Sequence, residues 1–393
     1  MKSIFIFLGC LLGVLHQASA GWTNSSFSYG GQTRSFRTYV PSNYNSANPA
    51  TLIVVLHGLG GSMNDAANVG VTSVADTANI ILLSPQALDF NSPLGLVQAA
   101  WNCGIKIDIP GFGLIPVNGN VDDVGFIEAM IDSTVADYSI NLSRVYACGA
   151  SMGGFMTQRL ACEAADRFAA VASVMGTYAL ALPPCNPGKM MPMAHFHGTN
   201  DEVVSWNGEL LLGANAFPVG LSVDTLIAKW VALDGCGTTP QHDTWPNSNN
   251  DNIYVEHFSY FDAGNVSRVE LFKVNGGTHY WYQSQDTGGE IDYATEIWKF
   301  FNKQHGSTSS TDDKARTAIE VRLYPNPANE RLQITTSVGL ADIQITDLYG
   351  RTVLRTQKLS VSGLDISRLS PGIYVAKCST AKGATATLKF VKQ

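Results

Sequence analysis

Ser151 lies at the centre of a Gly-x-Ser-x-Gly motif at residues 149–153, with a short apolar run before it and a helical pattern after it. This context is typical of a nucleophile elbow, a strained strand-to-helix turn whose glycines leave room for neighbouring backbone. The turn lifts the serine hydroxyl out of the sheet and places the backbone amide of Met152 beside it. The motif therefore predicts a serine that attacks a carbonyl carbon, with a plain small-residue turn as the alternative.

An acid is expected after the serine in a hydrolase of this kind. An apolar strand pattern at residues 192–197 runs into a short polar turn, and Asp201 follows that turn directly. Glu202 is the rival acid. We favour Asp201 because the shorter carboxylate comes straight after the turn, where the sheet would present it to the serine.

A histidine is expected after the acid. Alternation at residues 268–274 predicts a strand, and the glycine-rich turn that follows it ends at His279. The glycines let this loop bend back, so His279 can offer one ring nitrogen to Ser151 and the other to Asp201. Three other histidines lack this position and are predicted to be structural: His57, His195 and His197.

A further apolar run at residues 51–56 predicts a buried, central parallel strand, and a His-Gly-x sequence follows it. In α/β-hydrolases a backbone amide at that point supplies the second donor of the oxyanion hole. We predict that the amides of Leu59 and Met152 face the oxygen on which negative charge develops. Each such donor stabilises the transition state by about 3 kcal/mol.

Strand and helix patterns alternate between residues 21 and 303, and the helical pattern is clearest at residues 123–138 and 294–301. This order is typical of an α/β fold, in which helices flank a mostly parallel sheet. After a polar linker at residues 304–319, short alternating runs predict a small β-sandwich over residues 320–393. These runs lie at residues 331–334, 342–346, 352–356, 373–378 and 386–391.

The amino terminus has a basic start, a short apolar stretch and a small-residue Ala-Ser-Ala site that ends at Ala20. This pattern predicts a signal peptide over residues 1–20. No later stretch approaches about 20 apolar residues, so no transmembrane helix is expected. We expect an exported, soluble monomer.

Export makes disulfides possible, and the seven cysteines fall to six once Cys10 is removed with the signal peptide. No cysteine spacing resembles a zinc site. The two predicted disulfides are Cys162 with Cys185, which flank a strand-like region, and Cys103 with Cys236. Free thiols are expected at Cys148, inside the elbow strand, and at Cys378.

The net charge of -7 and the absence of a basic stripe exclude a nucleic-acid footprint. A charged fraction of only 15% fits an extracellular protein. The acidic pair Asp122 and Asp123 precedes a helical run, and a helix N-cap explains it better than a metal site does. We expect neither a metal nor a cofactor.

Five motifs along residues 22–303 resemble the α/β-hydrolase family of polyhydroxybutyrate depolymerases and feruloyl esterases. Within that family the chain is most similar to exported polyester hydrolases of Bacteroidetes, some of which attack poly(ethylene terephthalate). The resemblance implies a triad of Ser151, Asp201 and His279. The segment at residues 105–120 is longer than this family leads us to expect. The motifs lie at residues 56–58, 122–127, 149–154, 197–201 and 276–281.

Residues 320–393 resemble the type A sorting domain of the Bacteroidetes type IX secretion system. The resemblance implies export through that machinery to a secreted or cell-surface location. A polymer-binding module is the alternative for a small sandwich of this kind. The matching pieces lie at residues 324–327, 347–351, 369–375 and 389–392.

These observations predict a secreted serine ester hydrolase that acts on polyesters and on short-chain esters. A feruloyl or acetyl esterase of plant polysaccharide is the second interpretation, and a non-catalytic adhesin on a hydrolase fold is a third from a different class. Several side chains fall near predicted loop ends at the catalytic edge and are candidate substrate contacts: Trp101, Tyr178, Val203, Trp206, Tyr280 and Trp281.

Overall fold

The computed structural model of the protein describes most of the chain. The described residues are 20–109, 111–245, 247, 252–286, 290–304, 321–336, 341–347, 351–356, 363–380 and 385–393. The predicted signal peptide and linker lie outside them, apart from Ala20 and Gln304. The chain divides into two compact units, residues 1–305 and 306–393.

The first unit contains 16 described strands, ten of which form one sheet in the order β1-β2-β4-β3-β9-β10-β11-β16-β15-β14. In chain order these strands are β1 Gly21–Tyr29, β2 Gln32–Val40, β3 Ala50–Leu56, β4 Ile80–Pro85, β5 Phe90–Ser92, β6 Gly95–Val97, β7 Lys106–Ile109, β8 Gly113–Pro116, β9 Ile140–Ala150, β10 Ala170–Val174, β11 Met193–Gly198, β12 Glu209–Leu212, β13 Asn215–Pro218, β14 Gln241–Thr244, β15 Tyr254–Phe261 and β16 Ser267–Asn275.

The six central strands, from β4 to β16 in sheet order, are parallel, and antiparallel pairs complete both sides of the sheet. The parallel strands therefore all end at one edge, called the carboxyl edge below. In open α/β sheets ligands bind at this edge.

Among the residues that the structure describes, five α-helices cover the two faces of the sheet: α1 Val71–Ala78, α2 Asp123–Asp137, α3 Met152–Glu163, α4 Val223–Leu233 and α5 Tyr293–Gln304. Side chains of β3 point alternately into two cores, because Leu52 and Val54 pack with α2, α3 and α4 whereas Ile53 and Val55 pack with α1 and α5. Burial on both faces explains why this strand is apolar without interruption. In the described part of the chain, no helix combines the length and apolar character needed to cross a membrane.

The second unit contains a three-stranded and a four-stranded antiparallel sheet around a small apolar core. The structure has all five predicted runs as strands and adds two that the sequence did not suggest, β17 and β21. The described strands are β17 Val321–Tyr324, β18 Arg331–Thr336, β19 Asp342–Asp347, β20 Thr352–Thr356, β21 Leu364–Asp365, β22 Gly372–Ser379 and β23 Thr385–Lys392.

Cysteine chemistry follows the sequence analysis only in part. Cys162 and Cys185 form a disulfide with Cα atoms 5.3 Å apart, and Cys148 and Cys378 are buried free thiols, as predicted. The predicted pair of Cys103 and Cys236 is wrong, since both are free thiols. Cys103 lies in a loop beside Asp123 and Arg159, whereas Cys236 follows α4 beside Asp262 and Arg268, so their environments share no residue.

The acidic pair at the start of α2 serves the helix and the core. The side chain of Asp122 accepts a hydrogen bond from the Gly125 amide at 2.9 Å, which is the predicted N-cap. The neighbouring Asp123 is fully buried and pairs with Arg34 of β2, with 2.6 Å between Oδ1 and Nη2.

Asp234 gives a first prediction, on pH-dependent stability. Its Oδ1 accepts a hydrogen bond from the Met191 amide, and its Oδ2 has no partner among the described residues. Burial raises the pKa of Asp234 to about 7. The folded protein then holds a proton that the unfolded chain releases near pH 4, so this carboxyl destabilises the fold increasingly from about pH 4 to pH 7.

Asp234→Asn should therefore raise the melting temperature more at pH 8 than at pH 5. Differential scanning calorimetry at both values measures this, with Asp224→Asn on the exposed first turn of α4 as the matched control. An equal effect of Asp234→Asn on the melting temperature at the two pH values would contradict a raised pKa of Asp234 in the folded protein.

Candidate active site

The turn from β9 into α3 has the geometry of a nucleophile elbow. Ser151 adopts φ 55° and ψ -121°, a strained conformation for a residue with a side chain. Gly153 is required for close packing, because a Cβ there would lie 2.3 Å from the carbonyl oxygen of Leu56. A Cβ at Gly149 would likewise lie 2.4 Å from the carbonyl oxygen of Gly153. The two glycines of the motif thus let α3 start directly against β3 and β9.

The acid follows β11 and is held by backbone amides. Asp201 Oδ1 accepts hydrogen bonds from the amides of Val203 at 2.9 Å and Val204 at 2.8 Å. Its Oδ2 accepts a hydrogen bond from His279 Nδ1 at 2.8 Å. Glu202, the rival acid, instead accepts from the backbone amide of His279 at 3.4 Å. The structure therefore brings Asp201, not Glu202, to the imidazole.

The loop that carries His279 is tied to the loop that carries the acid. The Asn200 amide donates to the Gly277 carbonyl at 2.8 Å, and the Gly276 amide donates to Thr199 Oγ1 at 2.9 Å. Because Nδ1–H of His279 donates to Asp201, a neutral ring has its bare nitrogen at Nε2, the atom a general base uses. Ser151 Oγ has no hydrogen bond to any described residue, and such contacts are commonly loose in substrate-free hydrolases.

Two buried histidines lie behind the acid. The side chain of His197 has its Nε2 at 2.8 Å from the Val204 carbonyl and at 3.5 Å from Asp201 Oδ2. A carbonyl cannot donate, so Nε2 carries the hydrogen and Nδ1 accepts from His195 Nε2 at 3.1 Å. Burial lowers the pKa of both histidines, which keeps the rings neutral. As predicted they are structural, and the structure adds that they support the Asp201 loop.

This arrangement gives a second prediction. His197→Leu should lower kcat on a soluble ester by about 100-fold with little change in KM, because small displacements of a catalytic group have effects of that order. His197→Gln should recover most of the rate, since its amide nitrogen can occupy the place of Nε2. Steady-state kinetics of both variants tests this, and equal losses in the two would contradict a positioning role.

The predicted oxyanion loop follows β3. His57 is buried, and its Nε2 accepts a hydrogen bond from the Ala87 amide, so its Nδ1–H donates to the Gly58 carbonyl at 2.7 Å. Burial lowers the pKa of His57, which keeps the ring neutral. Leu59 is exposed, and a Cβ at Gly58 would lie 3.3 Å from the Cβ of Ser151. The loop carrying Leu59 therefore adjoins the elbow carrying Met152.

Trp101 does not fit its predicted role as a substrate contact, because its side chain is fully buried. Its Nε1–H donates to the His57 carbonyl at 2.8 Å, and its amide donates to Met152 Sδ at 3.3 Å. The residue thus links the two loops that carry the predicted oxyanion amides. The large apolar surface of the Trp101 side chain explains this placement, because burying that surface stabilises the fold more than leaving it exposed at a loop end does.

The other candidate contacts differ in exposure. Tyr178 and Trp281 are buried, so packing occupies most of their surface, and Tyr178 donates its hydroxyl to the Pro183 carbonyl at 2.5 Å. Val203 and Trp206 are half-buried beside the acid loop. Tyr280 is 46% exposed next to His279. Val203, Trp206 and Tyr280 therefore remain the accessible candidates.

Sequence reasoning missed the support behind the triad. His195 and His197 are two residues apart on β11, and this spacing puts both rings on one face of a strand. That signal could have indicated a shared role. No comparable signal in the sequence connects Trp101 with His57 and Met152.

The parallel sheet, the elbow and the carboxylate–imidazole pair at the carboxyl edge define an α/β-hydrolase. Residues 43–211 match the family described as Phospholipase/Carboxylesterase, and residues 322–393 match the family described as Secretion system C-terminal sorting domain. The chain belongs to the phospholipase/carboxylesterase family. The sorting domain indicates type IX export to a secreted or surface location.

Curated relatives carry esterase names. The chain is 28% identical over 244 residues to feruloyl esterase B of Piromyces equi, and this alignment covers 61% of this chain and 41% of the relative. It is 31% identical over 216 residues to a probable feruloyl esterase C of Aspergillus terreus, which covers 53% of this chain and 72% of the relative. The chain thus spans less than half of the Piromyces relative.

A solved feruloyl esterase module from Clostridium thermocellum, in complex with sinapinate, aligns with a TM-score of 0.48 and 13% identity over 74% of this chain and 90% of the module.

Proposed function

We propose that the protein is an exported serine esterase in which Ser151, Asp201 and His279 form the catalytic triad. The hydrogen bond of 2.8 Å between Asp201 and His279 carries this proposal, because it joins the acid to the histidine at the edge where the elbow presents its serine. A non-catalytic adhesin would have no need of this bond or of the strained Ser151 backbone.

The reaction proceeds in two steps. Ser151 Oγ attacks the ester carbonyl while His279 Nε2 takes its proton, and the amides of Leu59 and Met152 stabilise the oxyanion. The alcohol leaves with the proton from His279 and an acyl-enzyme remains. Water then gives a proton to His279 as its oxygen attacks the acyl carbon, and the bond from that carbon to Ser151 Oγ breaks as His279 returns the proton to the serine, which releases the acid. Asp201 holds the imidazole in the required tautomer and stabilises its cation.

The substrate class has two candidates. The first is a polyester of the poly(ethylene terephthalate) or polyhydroxyalkanoate type, supported by uncharged, apolar segments around the carboxyl edge, such as residues 109–121. The second is a feruloyl or acetyl ester of plant polysaccharide, supported by the names of the relatives. Both candidates present an uncharged ester, and the aromatic acids of terephthalate and ferulate are similar in size.

Product release separates these candidates. Purified protein is incubated with amorphous poly(ethylene terephthalate) film and, separately, with methyl ferulate, and the released acids are quantified by liquid chromatography. Ser151→Ala is the control for both substrates. Terephthalate above this control supports the polyester function, and ferulate alone supports the second candidate. Release of neither acid, and of none from a short-chain ester, would contradict the proposed triad.

We also propose that residues 320–393 direct the enzyme through the type IX machinery and contribute nothing to the triad. A chain that ends at Gln304 keeps every residue assigned to catalysis. It is expected to hydrolyse soluble esters at nearly the full-length rate and to stay in the periplasm of a host with that machinery. Normal export with lost activity on solid polymer would identify a binding module instead.

A further inference from the structure

Three β-hairpins project from the carboxyl edge of the sheet. The first, β5–β6, and the second, β7–β8, lie in the connection from β4 to α2, and the third, β12–β13, follows β11 and the Asp201 loop. Both connections leave a parallel strand at the carboxyl edge, the edge that carries the predicted triad. Of these insertions, only the unusual length of residues 105–120 is visible in the sequence.

These hairpins carry large apolar side chains that face solvent. The exposed fractions range from 51% to 74%: Leu94, Leu96, Phe112, Leu114 and Leu212. Scattered exposed apolar residues are normal, but a set that recurs in three insertions at one edge indicates an interaction surface. We call these five residues the apolar tips.

The sequence around the apolar tips carries little charge. No Asp, Glu, Lys, Arg or His occurs in residues 90–105, 109–121 or 210–223, and the hairpins hold only an oppositely charged pair on β7, Lys106 and Asp108, and Glu209 at the start of β12. The whole chain is 15% charged and has a net charge of -7. A charged partner would require complementary charges at its contact, and these three segments offer none.

Hydrogen bonds connect β12 and the residue that follows β6 to loops of the candidate site, and they connect the segment after β8 to the residue before Trp101. The Gly60 amide, in the oxyanion loop, donates to the Gln98 carbonyl at 3.1 Å after β6. Asn118 Nδ2, after β8, donates to the Ala100 carbonyl at 2.6 Å. The Leu211 amide of β12 donates to the Val203 carbonyl at 2.8 Å in the acid loop. A partner surface that binds the apolar tips therefore lies close to the predicted triad.

We infer that the apolar tips adsorb the enzyme onto an uncharged, apolar polyester surface and so bring ester groups of the solid to Ser151. This inference rests on the proposed polyester function and names the contact through which a solid substrate is engaged. An insoluble polymer cannot diffuse into a cleft, so the enzyme must dock at the solid surface. An uncharged apolar contact fits such a solid better than it fits an anionic membrane or a hydrated polysaccharide.

Adsorption without turnover tests the inference. The full chain with Ser151→Ala is equilibrated with polyester film, and the protein left in solution gives the binding isotherm. Replacing the five apolar tips by serine should raise the concentration for half-maximal coverage by at least about tenfold. Replacing the two tips of the β5–β6 hairpin alone should give a smaller increase. A cooperative thermal transition like that of the parent verifies folding of each variant.

Leu142→Ser is the matched control, because Leu142 is 58% exposed but lies near the start of β9, away from the carboxyl edge. It should leave the isotherm unchanged. The inference is overturned if the tip variants adsorb like the parent, or if Leu142→Ser weakens adsorption equally. It is also overturned if the tips bind anionic vesicles more strongly than they bind the film. A tip-dependent dimer that forms with rising protein concentration in sedimentation experiments would overturn it as well.

The proposed function can fail separately from this inference. Tip-dependent adsorption without terephthalate release by the unmutated enzyme would contradict polyester hydrolysis and leave the adsorbing surface established. Terephthalate release by an enzyme whose adsorption does not depend on the tips would support the function and overturn the inference.

Discussion

Ser151→Ala is expected to lower kcat on p-nitrophenyl acetate by at least about 10⁴-fold without unfolding the protein. The substitution removes the only atom that forms the acyl-enzyme in the proposed reaction, whereas the backbone amides that hold the oxyanion remain. The small residual rate would come from those amides and from substrate binding. Initial rates at saturating ester, measured with the same preparation used for thermal unfolding, give the comparison.

Ser143→Ala is a suitable control, because Ser143 lies on the same strand, β9, and its side chain is exposed. This variant should hydrolyse the ester at the parental rate. A serine-reactive fluorophosphonate probe should label the parent and Ser143→Ala but not Ser151→Ala. Turnover of Ser151→Ala within tenfold of the parent would show that another residue is the nucleophile.

The elbow and the order of the acid and histidine could be predicted because local backbone geometry fixes the residue types there. Only glycine fits where a Cβ would meet the Leu56 carbonyl, so the motif at residues 149–153 is visible in the sequence. In this fold Ser151, Asp201 and His279 follow β9, β11 and β16, so they occur in that order along the sequence. Uninterrupted apolar strands such as residues 51–56 likewise revealed the central sheet.

Long-range packing could not be predicted in this way. Whether Trp101 meets substrate or core depends on how the connection after β4 folds back, and its fully buried position follows from contacts with His57 and Met152. The pairing of Cys103 with Cys236 failed for the same reason, since spacing along the chain does not measure distance across a sheet. The short hairpins β5–β8 lack the length and alternation by which strands are recognised.

The second large effect concerns stability and arises from the buried pair of Arg34 and Asp123. Both side chains are at most 2% exposed, and Arg34 also lies over the ring of Phe126 at 3.8 Å. Asp123 Oδ2 accepts a hydrogen bond from the Asn102 amide at 2.7 Å. Asp123→Ala would leave a guanidinium without its partner in the core and an amide without its acceptor.

Removing one partner of a buried ion pair typically costs 3–5 kcal/mol, so Asp123→Ala is expected to lower the unfolding free energy of the catalytic unit by about that amount. Marginal stability makes this a large fraction of the total. Denaturant titration followed by tryptophan fluorescence measures the change. The fluorescence reports mainly on the first unit, because all seven tryptophans lie before residue 305.

A double variant separates the lost ion pair from a simple loss of packing. Arg34→Met with Asp123→Ala removes both charges, so no unpaired charge is buried, and its stability should exceed that of Asp123→Ala alone. The Asn102 amide would still lose its acceptor, Asp123 Oδ2, in both variants. Because Trp101 precedes Asn102 and holds the His57 carbonyl, both should also show reduced kcat. If the double variant were less stable than Asp123→Ala, the unpaired charge of Arg34 would not be the cause of the stability lost in Asp123→Ala.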